Sequence, residues 1–237
     1  IKNIKEIILK ENIECDFKNQ DSYVYTKKEE KIEKIKEEIE ALKTIGFDSE
    51  FISKNELPFK ALAAIKFKNQ AQFNIMKYLI GLANCIENNN GKIFEKTKVY
   101  DLKKENDKYL VFFEDGIVEC QNVIIATHYP IFNSPGFYFL KMYQSMSYAI
   151  ALETNNDIPE GIYISSDNPK ISIRTIDVNK KNKMIVIVGN DHKTGESNNG
   201  DNYKELEKIA KSVYPDCKIT YRRSTEDCIT LDKIPYI

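Results

Sequence analysis

The run Val123-Ile124-Ile125-Ala126-Thr127-His128-Tyr129-Pro130 sets small residues directly behind an apolar stretch. That order suits a buried strand that delivers backbone to a ligand. A bulky side chain at Ala126 or Thr127 would keep a phosphate or ribose from the N–H groups at such a strand's C-terminal end. His128 then stands beside the same edge, either as a hydrogen-bonding loop residue or as a base that titrates near neutrality. It is one of only two histidines, with His192, so a histidine-rich metal site is excluded by count. The five cysteines (Cys15, Cys85, Cys120, Cys217 and Cys228) are scattered and form no C-x-x-C pair. A zinc knuckle or a disulfide framework is therefore not expected, and a reducing cytoplasm is. Cys228 reads as a buried inert thiol or as a group beside a ligand.

One motif is conspicuously missing. A dinucleotide fingerprint G-x-G-x-x-G needs glycines two and three apart, for a tight turn and a close approach to pyrophosphate. No two of the nine glycines are spaced that way. The chain begins at Ile1 and stops at Ile237 within a patterned segment, so an internal piece of a longer protein is expected. At 237 residues and 42% hydrophobic content it can build one large core or two small ones. The net charge of -1, with basic residues dispersed, gives no field that would favour nucleic acid or an anionic membrane surface. No apolar run approaches the roughly 20 residues that span a bilayer, and no signal-peptide pattern is present.

The elements that must position these residues follow from periodicity. Helices are predicted from Ile1 to about Glu11, Lys28 to Lys43, Ala71 to Glu87 and Asn202 to Val213, the last capped by Asp201 and stopped by Pro215. The third carries two apolar stripes and is expected to pack between layers. Strands are predicted at Tyr23–Thr26, Ala63–Phe67, Lys92–Val99, Tyr148–Leu152, Ile162–Ser165, Ile171–Ile176, Met184–Val188 and Ile219–Arg222. Lys108 to Cys120 alternates as a hairpin with its turn at Asp115-Gly116.

The hairpin followed by the Ile124-Ile125-Ala126-Thr127 strand resembles the late part of the FAD-binding domain in oxidoreductases of the D-amino-acid oxidase superfamily. The resemblance is carried further by Tyr221 to Ile237, where Thr230-Leu231-Asp232-Lys233-Ile234-Pro235-Tyr236-Ile237 is similar to the superfamily's "T-x-D-x-x-P-x-I-G" return beneath the flavin. With Ile13 to Phe17, Val24-Tyr25-Thr26 and Asp191-His192-Lys193-Thr194-Gly195, it looks like a bacterial branch whose members often append a Rieske iron–sulfur domain. The resemblance implies FAD as cofactor, with Lys98, Val99, Ala126, Thr127, His128, Asp232 and Pro235 as residues beside it, and allows a [2Fe-2S] cluster in a downstream domain. It also implies that Arg174, in Ile171-Ser172-Ile173-Arg174-Thr175, clamps a substrate carboxylate, since a planar guanidinium matches two oxygens at once. An ordinary strand end at Val99, a surface turn at Asp232-x-x-Pro235 and a solvent-facing Arg174 are the structural alternatives. Family members commonly carry a tryptophan where Arg223 stands, and this chain has none.

The expected fold is α/β (α+β): a mixed, largely antiparallel substrate-domain sheet with helices, plus part of an FAD-binding lobe without its N-terminal Rossmann βαβ unit. Residues 1–67 and 131–222 are assigned to the substrate domain, and residues 68–130 and 223–237 to the partial FAD lobe. The parent is expected to oxidise a small amine or amino acid by hydride transfer to flavin, without an identifiable catalytic acid or base, while this piece alone retains no FAD. The alternative is a non-catalytic binding module on a vestigial flavoprotein fold.

Overall fold

A computed structural model describes residues 1–54, 56–132, 136–156, 160–178, 183–196 and 200–234. The chain forms two compact units. The first joins Ile1–Asp16 to Phe73–Tyr138, and the second joins Phe17–Gln72 to Phe139–Ile237.

The second unit is organised by one eight-stranded sheet. Its strands are β1 (Lys18–Thr26), β2 (Ser49–Ser53), β3 (Ala63–Gln72), β7 (Met142–Glu153), β8 (Ile162–Ser165), β9 (Ile171–Asp177), β10 (Lys183–Lys193) and β11 (Lys218–Thr230), in the order β11-β7-β10-β9-β8-β1-β3-β2. Every described ladder is antiparallel except β1 with β8. Two helices lie on opposite faces. Helix α4 (Asn202–Val213) starts at an Asp201 cap, whose side chain accepts from the Lys204 N–H, and lays Leu206 and Ala210 on Ile150, Leu152, Ile185 and Ile187. All six of these side chains are at most 1% exposed, so this is the main core. Helix α2 (Ile32–Thr44) packs Ile35 and Ile39 on Ala63 and Ile65 at the far end of the sheet, on the other face.

Between the two halves of this sheet Asp167 ties the chain together. Its carboxylate accepts from the Thr26 hydroxyl at 2.8 Å and the Lys27 N–H at 2.7 Å, and it faces the Lys31 ammonium at 3.2 Å. Burial pushes this carboxyl's pKa up, but the donors from Lys27, Thr26 and Lys31 outweigh it and hold the group below its ordinary value.

The first unit holds α1 (Lys2–Lys10), α3 (Ile75–Asn88) and a three-stranded sheet of β4 (Val99–Glu105), β5 (Lys108–Phe113) and β6 (Gly116–Cys120). Helix α3 is capped by the Asn74 side chain, which accepts from the Lys77 N–H. It meets the segment after α1 closely at Gly81, where a Cβ would stand 2.5 Å from the Ile13 side chain.

Several expectations are corrected. Residues 92–98 are not a strand; Lys96 takes φ +55, and the pairing begins only at Val99. Strand β4, unexpected from sequence, is fixed by the two-residue turn Asn106-Asp107, with Asn106 in the left-handed region that asparagine tolerates. In the next hairpin Phe113 pairs with Gly116, so the loop is Glu114-Asp115, one residue earlier than predicted. Helix α3 is not sandwiched: Ile75, Met76, Leu79, Ile80 and Ile86 are each 46% exposed or more, because α1 and its following segment face one side only. The run from Val123 to Thr127 takes no regular secondary structure and pairs with no strand among the described residues, and Ile124 is 90% exposed. Lastly, residues 1–16 group with 73–138 rather than with the large sheet, and β11 carries the chain past residue 222 without a break, so 223–230 belong to that sheet.

Candidate functional site

The register of the large sheet defines a face that neither α2 nor α4 covers. Arg174 on β9 stands opposite Val186 on β10, which stands opposite Ala151 on β7, which stands opposite Tyr221 on β11. One step along, Ser172, Val188, Ala149 and Arg223 form the next row on the same face. The floor between the arginines is small and apolar, and its valines and alanines are only half buried. The residues behind them, Ile187 and Ile150, belong to the core under α4.

The chain has three arginines. Arg222, on the α4 side of β11, pairs through Nε at 2.8 Å and through its terminal nitrogen with Glu207 of α4. Arg174 and Arg223 point the other way and make no hydrogen bond or ion pair among the described residues. Two exposed guanidinium groups without carboxylate partners are what an anionic ligand requires.

Along the same sheet, toward the ends of β7, β10 and β11, lies a groove of about 780 Å³ lined by Tyr143, Lys170, His192, Lys193, Cys228 and Lys233 among others. The His192 Nδ1 lies 3.1 Å from the Lys193 carbonyl, which can only accept, so Nδ1 carries the proton. Nε2 shares a hydrogen bond with the Tyr148 hydroxyl at 3.1 Å, and the two rings stack at 5.8 Å. Burial, then the charges of Asp227 and Glu226, push the Cys228 thiol pKa up.

The remaining predicted site residues fall in both units. Lys98 is exposed and Val99 opens β4 opposite Phe113. Ala126, Thr127 and His128 are exposed in the unpaired run, where the Thr127 hydroxyl donates to the Tyr129 carbonyl at 2.8 Å. These five lie in the first unit, whereas Arg174 and Asp232 lie in the second. Asp232 is exposed and accepts from the Ile234 N–H at 3.0 Å, a local turn. Pro235 lies outside the described residues. Arg223 was not singled out from the sequence as a ligand residue, although the alternation Tyr221, Arg223, Thr225 is the signal that assigns its face. No group of three or more His, Cys, Asp or Glu that could hold a metal occurs among the described residues, and no described helix is long and apolar enough to cross a membrane.

The chain is a mixed α/β protein whose large, mostly antiparallel sheet carries arginines on its open face. The family model for FAD dependent oxidoreductases matches residues 1–237, and the chain belongs to that family. It is 34% identical over 235 residues to the "Putative Rieske 2Fe-2S iron-sulfur protein YhfW" of Bacillus subtilis (strain 168), covering 99% of this chain and 46% of that protein. Among solved structures it is similar to glycine oxidase from Geobacillus kaustophilus, with a TM-score of 0.80, 15% identity and coverage of 99% of this chain and 66% of that one. L-proline dehydrogenase from P. horikoshii gives a TM-score of 0.78 at 15% identity, covering 98% of this chain and 67% of that one. The chain thus spans about half the length of its curated relative and about two thirds of these structures.

The residues present fit the family's cofactor in part. Backbone N–H groups from Asn122 to Thr127 enter no backbone ladder among the described residues, and Ala126 and Thr127 beside them are small and exposed. The glycine-rich turn that cradles a pyrophosphate is not in the sequence.

Proposed function

We propose that this chain is the substrate-binding unit, with part of the nucleotide-binding unit, of an FAD-dependent enzyme that oxidises a small amino acid or amine. The second unit takes the substrate on its open sheet face. The observation that carries this reading is Arg174, unpaired on that face in a chain that matches the family along its whole length. Glycine oxidase and L-proline dehydrogenase, whose fold it shares, are named for amino-acid substrates, which supports the same class here.

In this proposal Arg174 holds the substrate carboxylate by a bidentate pair, and Val186, Val188, Ala149 and Ala151 give the floor an apolar, weakly hydrated surface. Lys98, Val99 and the run Ala126-Thr127-His128 lie against the nucleotide, and Asp232 and Pro235 are assigned to the flavin end of the cofactor. When bound, FAD supplies the acceptor for a hydride from the C–H bond next to the amine, leaving an imine after the nitrogen loses its proton. No side chain here is required to abstract that hydrogen. The exposed stripe of α3 and the unpaired Val123–Thr127 run are the surfaces on which the rest of the nucleotide-binding unit docks. Because that remainder carries the phosphate loop, the chain by itself retains no FAD. The protein works in a reducing cytoplasm, with all five cysteines free. A Rieske [2Fe-2S] domain follows in the parent, as the name of the Bacillus subtilis relative suggests.

The test uses the complete protein. Purified with FAD, it is expected to show flavin absorbance that bleaches anaerobically when an amino acid is added, and Arg174→Gln should raise KM far more than it lowers kcat. A complete protein that takes up no flavin, or a flavin that no amine or amino acid reduces, refutes the enzyme and leaves a non-catalytic binding module. The sequence beyond residue 237 should contain C-x-H and C-x-x-H if the cluster is present.

A further inference from the structure

We propose that the open face selects an amino acid with a second carboxylate, held between Arg174 and Arg223. This rests on the reading above and deepens it by assigning the substrate class. Both arginines stand on the face away from α4, three strands apart and one row out of step. Strand spacings of about 4.8 Å and a two-residue step of about 7 Å set their Cα atoms about 16 Å apart. A guanidinium–carboxylate pair at each end takes up about 4 Å, which leaves about 5–8 Å between the two carboxylates once the side chains lean inward. That is the span of a short dicarboxylic amino acid.

The floor supports the same ligand. Val186, Val188, Ala149 and Ala151 lie between the two arginines and offer apolar surface to the methylene groups of such a chain, with polar atoms confined to the ends. A neutral amino acid would fill one end and leave the other guanidinium without an anion. The charge on this face is also not already satisfied. Asp227 lies four residues beyond Arg223 on β11, and Glu153 lies two beyond Ala151 on β7, and neither pairs with an arginine among the described residues. The contrast with Arg222, the residue next to Arg223 in sequence, is informative, because Arg222 turns to the α4 face and is neutralised there by Glu207. Arg174 is assigned the carboxylate next to the reacting carbon, and Arg223 the distal one; Arg223 is a binding residue for specificity.

The experiment uses the complete flavoprotein. Anaerobic flavin reduction is measured with glutamate and aspartate against glutamine, asparagine and alanine, each as both enantiomers. Binding of the non-oxidisable probes glutarate and butyrate is measured in parallel by their competition with substrate. The expected result is a preference for the dicarboxylic substrates and for glutarate of on the order of tenfold to a hundredfold. Arg223→Gln should erase that preference by raising KM for the acidic substrates with kcat little changed, and should leave butyrate binding as it was. Arg174→Gln should weaken glutarate and butyrate alike, and Arg223→Lys should restore part of the preference. If neutral amino acids reduce the flavin as well as acidic ones, and Arg223→Gln changes neither ratio, the inference is overturned while the amino-acid oxidase reading stands. If no amino acid reduces the flavin, both fall together.

Discussion

Replacing Asp167 by Asn tests whether the buried carboxylate between β1 and β8 acts by its charge. The wild-type group is 8% exposed and accepts from Thr26, which is fully buried, and from the Lys27 N–H, with Lys31 as counter-ion. Asparagine keeps one carbonyl acceptor but turns an NH₂ toward the other donor. One charge-assisted bond is weakened and one is lost, each worth about 1.5–3 kcal/mol, while the partly exposed Lys31 adds less than about 1. The expected loss at pH 7 is therefore about 2–3 kcal/mol. Because the folded pKa is depressed, the wild-type advantage is present above the unfolded value of about 3.9 and fades as pH falls below it through the folded value. Urea unfolding of this 237-residue chain at pH 7 and again at about pH 3.5 measures both quantities, provided the m-values agree. A gap below about 0.5 kcal/mol at pH 7, or one that is the same at both pH values, would refute the electrostatic account.

Two further substitutions probe the same unit. Glu160, whose pKa the hydrogen bonds from Lys18 and Lys183 lower to about 2, has a half-exposed side chain, so Glu160→Gln should cost at most about 1 kcal/mol at pH 7 and nearly nothing in about 1 M salt. A loss that persists at high salt would point to packing instead. At Gly189 a Cβ would stand 2.6 Å from the Lys170 carbonyl oxygen and 2.5 Å from Ile171, and a backbone carbonyl cannot step aside. Gly189→Ala should therefore cost about 1–3 kcal/mol in thermal or urea unfolding, and an unchanged midpoint would show that the β9–β10 pair is looser than it looks.

Sequence pattern was most informative where one element supplies its own evidence. Helix α4 carries its start in Asp201, its period in Leu206 and Ala210 and its stop before Pro215, and its observed bounds match the predicted ones. Strands β8 to β10 alternate clearly because one face is buried under α4. The misses share a cause, namely dependence on a partner that the local sequence does not name. Strand β4 is polar and becomes a strand through its turn with β5. The Val123 run is apolar enough for a central strand, yet no described strand lies alongside it. The hydrogen bonds of Asp167 with Thr26 and Lys27 join residues 141 and 140 positions apart, beyond any spacing rule. At the candidate site, Arg174 could be picked out by residue type. Its unpaired state, and the matching position of Arg223, depend on the register of four strands, which residue types alone do not determine.

The parallel ladder between β1 and β8 has a kinetic consequence. It pairs residues 22–25 with residues 162–165, and it is the one described ladder that joins the early part of the large sheet to the late part. A ribosome must therefore deliver all of residues 73–138 before the edge of β1 can be closed. Until then β1, β2 and β3 wait as a three-stranded sheet with one flank open to any passing strand. Contacts of such long range fold slowly, and the nascent chain is most prone to mispairing during that interval.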